Sequence, residues 1–400
     1  MSEQPGDGGG GRRREVRLLE IAPGPRGVAA VLDALPEALA GDGPALAIAP
    51  AGLDDHAARA RAAVTDDAGT GADPDVAVVL ATSGSTGRPR GVLLPAAALL
   101  SSAHAALARL GGPGAWTLAL PVTGVGGLQV LLRSLVADVE PLVLTSVGGA
   151  GRFDVAEFAR LTWRLDPSLP AYTSIVPTQA AWLLDDPAGL AALRAYEGVL
   201  LGGARTPPAL LARLRAEQVA AIPTYGMTET SGGMVYDGRP LDHVGVRLLD
   251  EDAEGVGRIV LTGATLARGY LGDPDATRER FPDGSHVTSD VGRLTGGVLE
   301  VLGRLDDVVQ VGGNNVAIAA VEDVLLRHCA DACVLVETDD TWGSRLTAYV
   351  VDPLVGDDDL AAAVTASLSR SAAPRRWVHV LAVPHLPNGK PDREALRATT

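Results

Sequence analysis

A segment near the start of the chain, ATSGSTGRPRG (residues 81–91), concentrates hydroxyls, glycines and arginines directly after an apolar run. Its hydroxyl groups belong to Thr82, Ser83, Ser85 and Thr86. Gly84 and Gly87 allow the positive φ angles that turn successive N–H groups toward one point, which makes an anion nest. Arg88 and Arg90 add positive charge. The segment predicts an anion site, although a polar turn after a strand explains one such loop equally well. It is not a Walker A loop, because that motif requires a lysine.

Two further loops carry carboxylates suited to a nucleotide. The first, TYGMTETSGG (224–233), offers an aromatic ring, a flexible glycine, a hydroxyl and a carboxylate, at Tyr225, Gly226, Thr228 and Glu229. A carboxylate repels a polyphosphate unless Mg²⁺ lies between them, and then its oxygens become ligands. In the second, TSDVGRL (288–294), Asp290 can accept hydrogen bonds from a ribose diol. Taken singly, each acid is more often a surface or turn residue.

The basic residues are almost all arginines. Lys and Arg together number 34, and Lys390 in LPNGKPDREAL is the only lysine of the sequence. Lysine is ordinarily among the commonest residues, so its near-absence indicates a bias toward arginine. An ammonium group and a planar guanidinium stabilise charge differently. Lys390 is therefore either a leftover surface residue or a position where arginine does not serve.

Composition excludes several classes of protein. A formal net charge of −15 opposes bulk attraction to nucleic acid or to anionic membranes. Apolar runs stay short of the roughly 18 residues of a membrane span, and no signal peptide is evident. Cys329 and Cys333 lie beside His328 without further ligands, so we interpret both cysteines as packing residues. We expect a cytoplasmic protein without membrane insertion.

Between residues 15 and 303, apolar stretches alternate with stretches rich in Ala and Leu, which predicts a layered α/β domain with a largely parallel sheet. The predicted strands are 45–50, 75–82, 116–121, 140–146, 171–177, 197–203 and 220–226. The predicted helices are 95–110 and 126–138, and two later stretches, 257–263 and 297–303, predict a β-rich closing segment. Ligands of such sheets bind at the carboxyl ends of the strands.

After residue 303 the elements become shorter, which predicts a small α+β domain over 304–400. Its predicted strands are 308–312, 332–338, 345–352 and 376–383, and its predicted helices are 317–328 and 358–370. In the first helix an apolar stripe of Val321, Val324, Leu325 and His328 requires a sheet to cover it. Residues 1–14 are rich in glycine and predict a disordered tail, so the large domain is 15–303.

Several motifs occur together in one order: TSGSTGRPRG, YGMTET, GYLGDPDATRERF, TSD, GRLDDVVQVGGNNV and LPNGKPDREAL. This set resembles the adenylate-forming, AMP-binding superfamily of acyl- and aryl-CoA synthetases, adenylation domains and luciferases. The resemblance extends from about residue 75 to the C-terminus. Within the superfamily, AYTSIVPTQ, GGLQVLLRSL and TSGGMVYDGRPLDHVGVRL resemble the actinobacterial o-succinylbenzoate–CoA ligases of menaquinone synthesis.

The resemblance implies an ATP-dependent carboxylate–CoA ligase that forms an acyl-adenylate, with ATP, Mg²⁺, CoA and a small-molecule carboxylate as its partners. The implied phosphate-binding residues are Thr82, Ser83, Gly84, Ser85, Thr86, Gly87 and Arg90. The implied nucleotide pocket comprises Gly202, Gly203, Tyr225, Gly226, Asp290 and Arg304. Glu229 would bind Mg²⁺, Thr228 would contact the α-phosphate, and Lys390 would bridge the attacking carboxylate and the α-phosphate.

The resemblance also implies a second arrangement for attack by a thiol. The small domain would rotate about a hinge at Asp306, and the glycine pair Gly312 and Gly313 would line the channel for CoA. The implied acyl pocket comprises Thr123, Gly124, Gly126 and Thr173. The sequence departs from the ligases here, because LPVTGVGGLQ lacks their histidine, and it has Arg90 where lysine is common.

Other functions stay open at the level of sequence. A CoA ligase for another aryl or acyl carboxylate fits the missing histidine. An acyl-adenylating enzyme that loads a carrier protein fits the same motifs. The sequence leaves the oligomeric state open, with a homodimer as one alternative. A silent nucleotide-binding protein would need neither Lys390 nor Glu229. A serine hydrolase is excluded, because SGSTG lacks the G-x-S-x-G elbow.

Overall fold

Two strand-rich layers form the first part of the large domain. The computed structural model describes residues 13–65, 71–82, 89–148, 153–253, 255–305, 308–311, 314–339, 343–384 and 391–398. The first sheet has the order β1-β2-β3-β4-β14, with β1 Val16–Ile21, β2 Ala45–Pro50, β3 Val76–Ala81, β4 Gly91–Pro95 and β14 Gly269–Tyr270. β1 to β3 are parallel, whereas β4 and β14 are antiparallel to their neighbours.

The first sheet is covered on both faces, which explains its continuous apolar strands. Helices α1 Pro25–Ala40 and α2 Asp55–Thr65 belong to this layer. Along β2, Leu46 and Ile48 pack into the main core, while Ala45, Ala47 and Ala49 pack with Val64 of α2 in a second cluster. Successive side chains of β2 therefore point to opposite faces of the sheet and pack into two different cores.

The second sheet has the order β11-β10-β9-β8-β7-β5-β6. Its strands are β5 Ala115–Leu118, β6 Leu142–Val143, β7 Ala171–Ile175, β8 Gly198–Leu201, β9 Ala221–Met227, β10 Gly232–Tyr236 and β11 Arg239–Pro240. Its helices are α3 Ala96–Leu110, α4 Val125–Ala137, α5 Val155–Thr162, α6 Pro177–Asp185, α7 Pro187–Leu193 and α8 Pro208–Ala216. β5 to β9 pair in parallel, so their carboxyl ends meet at one edge.

A third, antiparallel sheet completes the large domain. It has the order β12-β13-β15-β16, with β12 Val244–Leu249, β13 Val256–Gly263, β15 Ser285–Thr295 and β16 Val298–Arg304, and α9 Pro274–Arg280 precedes β15. The β-rich closing segment is thereby confirmed at 257–263 and 297–303, with two more strands than the sequence indicated.

The C-terminal residues form separate elements with their own core. The strands are β17 Val308–Val311, β18 Asn314–Ala317, β19 Asp331–Asp339, β20 Gly343–Val351 and β21 Arg376–His379. The helices are α10 Ile318–Leu325, α11 Asp357–Ser367 and α12 Arg393–Ala398. Val321, Val324 and Leu325 pack in this core as predicted. His328 does not belong to the stripe, because α10 ends at Leu325.

Both cysteines are buried and unpaired, in agreement with a packing role. Burial raises the pKa of Cys329 to about 11 and that of Cys333 to about 12, so both thiols stay protonated at neutral pH.

Two further sequence expectations need correction. The layered α/β class is confirmed, and β5 to β9 are parallel as expected, but the strands of the large domain divide into two mixed sheets and an antiparallel one rather than into one sheet. The disordered tail does not include Arg14, whose guanidinium donates to the carbonyls of Gly43, Val76 and Ala38 at 2.7–2.8 Å. Residues 1–12 lie outside the described residues.

Within the described part of the chain, every helix is too short or too polar to cross a bilayer.

Candidate active site

The loop predicted to bind an anion starts and ends on a hairpin. Thr82 and Arg90 close its mouth: the Thr82 N–H donates to the Arg90 carbonyl at 2.8 Å, and the Arg90 N–H donates to Thr82 Oγ1 at 3.0 Å. The loop therefore joins the antiparallel strands β3 and β4, and its two ends are fixed to each other. Ser83, Gly84, Ser85, Thr86 and Gly87 lie outside the described residues, so their roles stay predictions.

Glu229 lies in a 3₁₀ turn, Thr228–Thr230, between β9 and β10. The turn ends at Ser231, which has φ +53°. The Ser231 carbonyl accepts a hydrogen bond from Nε2 of the buried Gln129 at 2.7 Å. The Glu229 carbonyl accepts from the N–H of Ala267 at 2.9 Å. Helix α4 and the segment before β14 thus hold the turn that carries Thr228 and Glu229.

Tyr270 contacts both the carboxylate and the cation predicted for this site. Its hydroxyl donates to Glu229 Oε1 at 3.1 Å. The guanidinium carbon of Arg90 lies 5.3 Å from the centre of its ring, within the range of a cation–π contact. Arg90 Nε also lies 3.4 Å from Asp273 Oδ2. Burial, followed by the charge of Glu229, raises the pKa of Tyr270, so the phenol stays a neutral donor.

Tyr225 and Asp290, which the sequence placed on adenine and ribose separately, are hydrogen-bonded to each other. The Tyr225 hydroxyl donates to Asp290 Oδ2 at 2.7 Å. Burial, followed by the Asp290 charge, raises the pKa of Tyr225. Arg304 pairs opposite Asp290 in the ladder of β15 and β16, and its charge acts against that rise. The structure therefore brings all three residues together.

The predicted glycines of the nucleotide pocket lie where the backbone approaches other groups closely. A Cβ at Gly202 would come within 2.9 Å of Thr224 Oγ1, and Gly203 has φ +78°. A Cβ at Gly226 would come within 2.1 Å of the Gly232 carbonyl, so Gly226 permits the pairing of β9 with β10. Two residues after Gly203, Arg205 forms an ion pair with Asp323 of α10, which connects this loop with the C-terminal elements.

The predicted acyl-pocket residues divide into two places. Thr123, Gly124 and Gly126 lie together where α4 begins, and Thr123 lines a small cavity there with Pro121, Val122 and residues around β1. Thr173 has no exposed surface, and its hydroxyl donates to the Thr117 carbonyl at 3.0 Å. Its described contact thus joins β7 to β5.

Sequence reasoning missed Arg133, a buried cation on α4. Its Nη2 donates to the Tyr236 hydroxyl at 3.1 Å, and its guanidinium carbon lies 5.0 Å from the ring centre of Trp116. Only 3% of the residue is exposed, and Nε has no hydrogen-bond partner. None of the ion pairs recorded among the described residues includes Arg133. Burial lowers its pKa. A charged residue inside the apolar stretch GGLQVLLRSL was the signal for it.

The residues expected to take part in the domain rotation cannot be compared with the structure. Lys390, Asp306, Gly312 and Gly313 lie outside the described residues. Among the described residues there is no cluster of three or more His, Cys, Asp or Glu side chains that would hold a metal on protein ligands alone.

Known proteins share both the sequence and the fold. The profile of the AMP-binding enzyme family matches residues 27–271. A probable 2-succinylbenzoate–CoA ligase of Mycobacterium tuberculosis strain H37Rv is 42% identical over 95% of this chain and 97% of its own length. The 2-succinylbenzoate–CoA ligase of Bacillus licheniformis is 30% identical over 80% and 70% of the two chains. The o-succinylbenzoate CoA synthetase of Bacillus subtilis, solved with its acyl-adenylate intermediate, superimposes with a TM-score of 0.70 at 25% identity, over 91% of this chain and 80% of that one.

Proposed function

Because this chain belongs to the AMP-binding enzyme family, we propose that it is an ATP-dependent carboxylate–CoA ligase that activates o-succinylbenzoate through an acyl-adenylate. The names of its relatives, which are 2-succinylbenzoate–CoA ligases, support the acid and the thiol. The observation that carries the chemistry is the meeting of Glu229 and Arg90 on Tyr270, because it brings a carboxylate beside the mouth of a phosphate loop. An isolated carboxylate would repel phosphate there, so the arrangement favours Mg²⁺ between the two.

Glu229 fits Mg²⁺ by the type of its donor atoms. Magnesium prefers oxygen ligands and is commonly held by one or two carboxylates together with substrate phosphates. Bound Mg²⁺ would supply positive charge against the phosphates. The residues of this chain would do the rest in the first half-reaction: Thr82 and Arg90 fix the ends of the phosphate loop, Thr228 contacts the α-phosphate, and Lys390 neutralises the attacking carboxylate. Holding two anions in line is the main requirement of that step.

The proposed acid has two carboxylates, and only one of them is activated. The second requires a cation in a site that excludes water. Arg133 is the candidate for that cation, because it is a buried guanidinium whose recorded contacts are a phenol and an indole ring. Burying an unpaired charge is costly, and a substrate carboxylate would offset that cost. Thr123, Gly124 and Gly126, at the start of the same helix, would line the acyl pocket.

In the second half-reaction the thiol of CoA would attack the adenylate carbonyl and release AMP. Lys390 must then leave, and the small domain would turn about Asp306 so that Gly312 and Gly313 border the thiol channel. Alternation of two arrangements by a hinge is an established type of enzyme motion. The Arg205–Asp323 ion pair would have to open in that motion.

The test is pyrophosphate release with o-succinylbenzoate and with benzoate, each with and without CoA. We expect AMP-forming turnover with o-succinylbenzoate and a CoA thioester when CoA is present. Pyrophosphate exchange without a CoA product would instead indicate transfer to a carrier protein, and preference for benzoate would overturn the proposed acid.

Lys390→Ala should lower the adenylation rate by about 10²–10³-fold, because it removes a cation that acts in the transition state. Thioester formation from supplied acyl-adenylate should be largely retained. Rapid-quench measurement of each half-reaction separates the two, and Arg397→Ala, another cation near the C-terminus, is the control. An equal loss in both steps would contradict the role given to Lys390.

A further inference from the structure

Tyr270 is fixed in position by its backbone. It ends the two-residue strand β14, which pairs with β4 at Tyr270↔Val92, two residues after Arg90. The Tyr270 N–H donates to Thr277 Oγ1 of α9 at 2.9 Å. The preceding Gly269 has φ +142°, and a Cβ there would lie 2.3 Å from Thr277 Cγ2, so only glycine allows this approach. The strand and the helix therefore place Tyr270 beside the strand that carries Arg90.

The ring of Tyr270 is fixed as well. The residue is 7% exposed, and its ring meets Phe281 edge-on with the centroids 5.6 Å apart. Phe281 in turn packs on His286 with the centroids 4.6 Å apart. An aromatic ring held in this way aims its hydroxyl in one direction, which here is toward Glu229 Oε1.

We propose that Tyr270 is a positioning residue that couples metal binding to phosphate binding. Its hydroxyl orients the Glu229 carboxylate, and its ring face holds Arg90 at the mouth of the phosphate loop. A carboxylate with one oxygen held by a fixed donor presents the other in a defined direction, which lowers the cost of ordering it on a metal. This inference rests on the proposed function, since it requires that Glu229 bind Mg²⁺.

Two variants separate the two parts of the role. Tyr270→Phe removes the hydroxyl and keeps the ring, whereas Tyr270→Leu removes both. Tyr196→Phe is the matched control, because it removes a buried hydroxyl that bonds only threonines in its recorded contacts, Thr117 and Thr162. Thermal unfolding of each variant shows that it is folded before binding is measured.

The readout is binding without turnover. Mg²⁺ is titrated by calorimetry into protein saturated with ATP in the absence of acid, and ATP is titrated separately in EDTA. For Tyr270→Phe we expect the apparent Kd of Mg²⁺ to rise about 10-fold, as for the loss of a hydrogen bond to a charged group, with ATP binding in EDTA unchanged. For Tyr270→Leu we expect both affinities to fall.

Two failures can be told apart. If the wild-type protein binds ATP without any effect of Mg²⁺, the proposed function fails. If the wild-type protein shows the metal effect and Tyr270→Phe shows the same Kd for Mg²⁺, the positioning role is overturned while the proposed function stands.

Discussion

Two tyrosines in this site donate to a carboxylate, and the two pairs have different surroundings. Tyr225 and Asp290 lie on β9 and β15, so their 2.7 Å hydrogen bond joins the second sheet to the third. Tyr270 and Glu229 join the short edge strand β14 to the turn after β9, through a bond of 3.1 Å. The first pair has Arg304 in the opposite strand, and the second has Arg90 over the tyrosine ring.

From this difference we infer that the two carboxylates have different roles. Asp290 is held by a regular strand ladder on a rigid scaffold, which suits an acceptor that recognises a neutral ribose. Glu229 is held by a turn, and its tyrosine also holds a cation, which suits a carboxylate that acts only together with a metal and phosphates. We therefore propose that Tyr225 contributes to recognition of the nucleotide and that Tyr270 contributes to the binding of charged groups.

Among variants of the two tyrosine–carboxylate pairs, the largest effect should follow from Glu229→Gln. This variant keeps the shape and one oxygen but removes the charge that would attract Mg²⁺, so we expect adenylation to fall by about 10²-fold or more. Pyrophosphate release at saturating ATP measures it, with partial recovery as the Mg²⁺ concentration rises. Glu300→Gln, at an exposed carboxylate paired with Arg293, is the control. Full activity of Glu229→Gln would remove the distinction between the two pairs.

A smaller effect, on ATP binding rather than on turnover, should follow from Asp290→Asn. A carboxylate accepts several hydrogen bonds, so Asp290 can bind Tyr225 through Oδ2 and a ribose hydroxyl as well. We expect the KM for ATP to rise about 10-fold with little change in kcat. In Tyr225→Phe the acceptor stays and only its orientation is lost, so we expect a rise of about 3-fold. A fall in kcat as large as that of Glu229→Gln would show that the pairs act alike.

Local patterns predicted much of this site. Apolar runs that end in polar residues marked β3 and β9, and the residues that follow them, Thr82 and Glu229, lie at strand ends as expected. Tyr270 lay inside a quoted motif but received no role, because β14 is two residues long and its partner β4 is distant in sequence. A strand of two residues is too short to show the alternation of apolar and polar side chains by which strands are recognised in a sequence.

The buried position of Arg133 could not be predicted from the sequence for a related reason. A helical pattern with one arginine is compatible with a side chain that reaches solvent, and only the fold shows that Tyr236 and Trp116 enclose it. Thr173 illustrates the opposite case. A family motif pointed to a pocket, whereas strand pairing gives its hydroxyl a backbone partner. The surroundings of Arg133 and of Thr173 are both set by contacts between elements that are distant in sequence, which a local pattern does not reveal.

The smallest expected effect concerns the packing behind the Tyr270–Glu229 pair. His286 is 3% exposed and packs on Phe281. Burial lowers its pKa from 6.5 to about 4; a backbone hydrogen bond with Arg280 opposes this shift, and the charges of Arg280 and Arg258 add to it. As pH falls, the unfolded chain therefore takes up this proton before the folded one does. Stability is undiminished above about pH 6.5 and falls as pH approaches 4. Replacement by an uncharged ring, His286→Phe, should abolish this part of the acid sensitivity.

Urea unfolding at pH 7 and at pH 5 tests this expectation. On going from pH 7 to pH 5, the free energy of unfolding of wild type should fall by about 2 kcal/mol more than that of His286→Phe. This difference does not depend on how far the substitution itself destabilises the protein at pH 7. His104→Phe, at an exposed histidine, should lose as much as wild type. If His286→Phe loses as much free energy of unfolding as wild type between pH 7 and pH 5, the imidazole of His286 is charged in the folded protein at pH 5. The packing behind Tyr270 would then not be acid-sensitive, and it would no longer distinguish the Tyr270–Glu229 pair from the Tyr225–Asp290 pair.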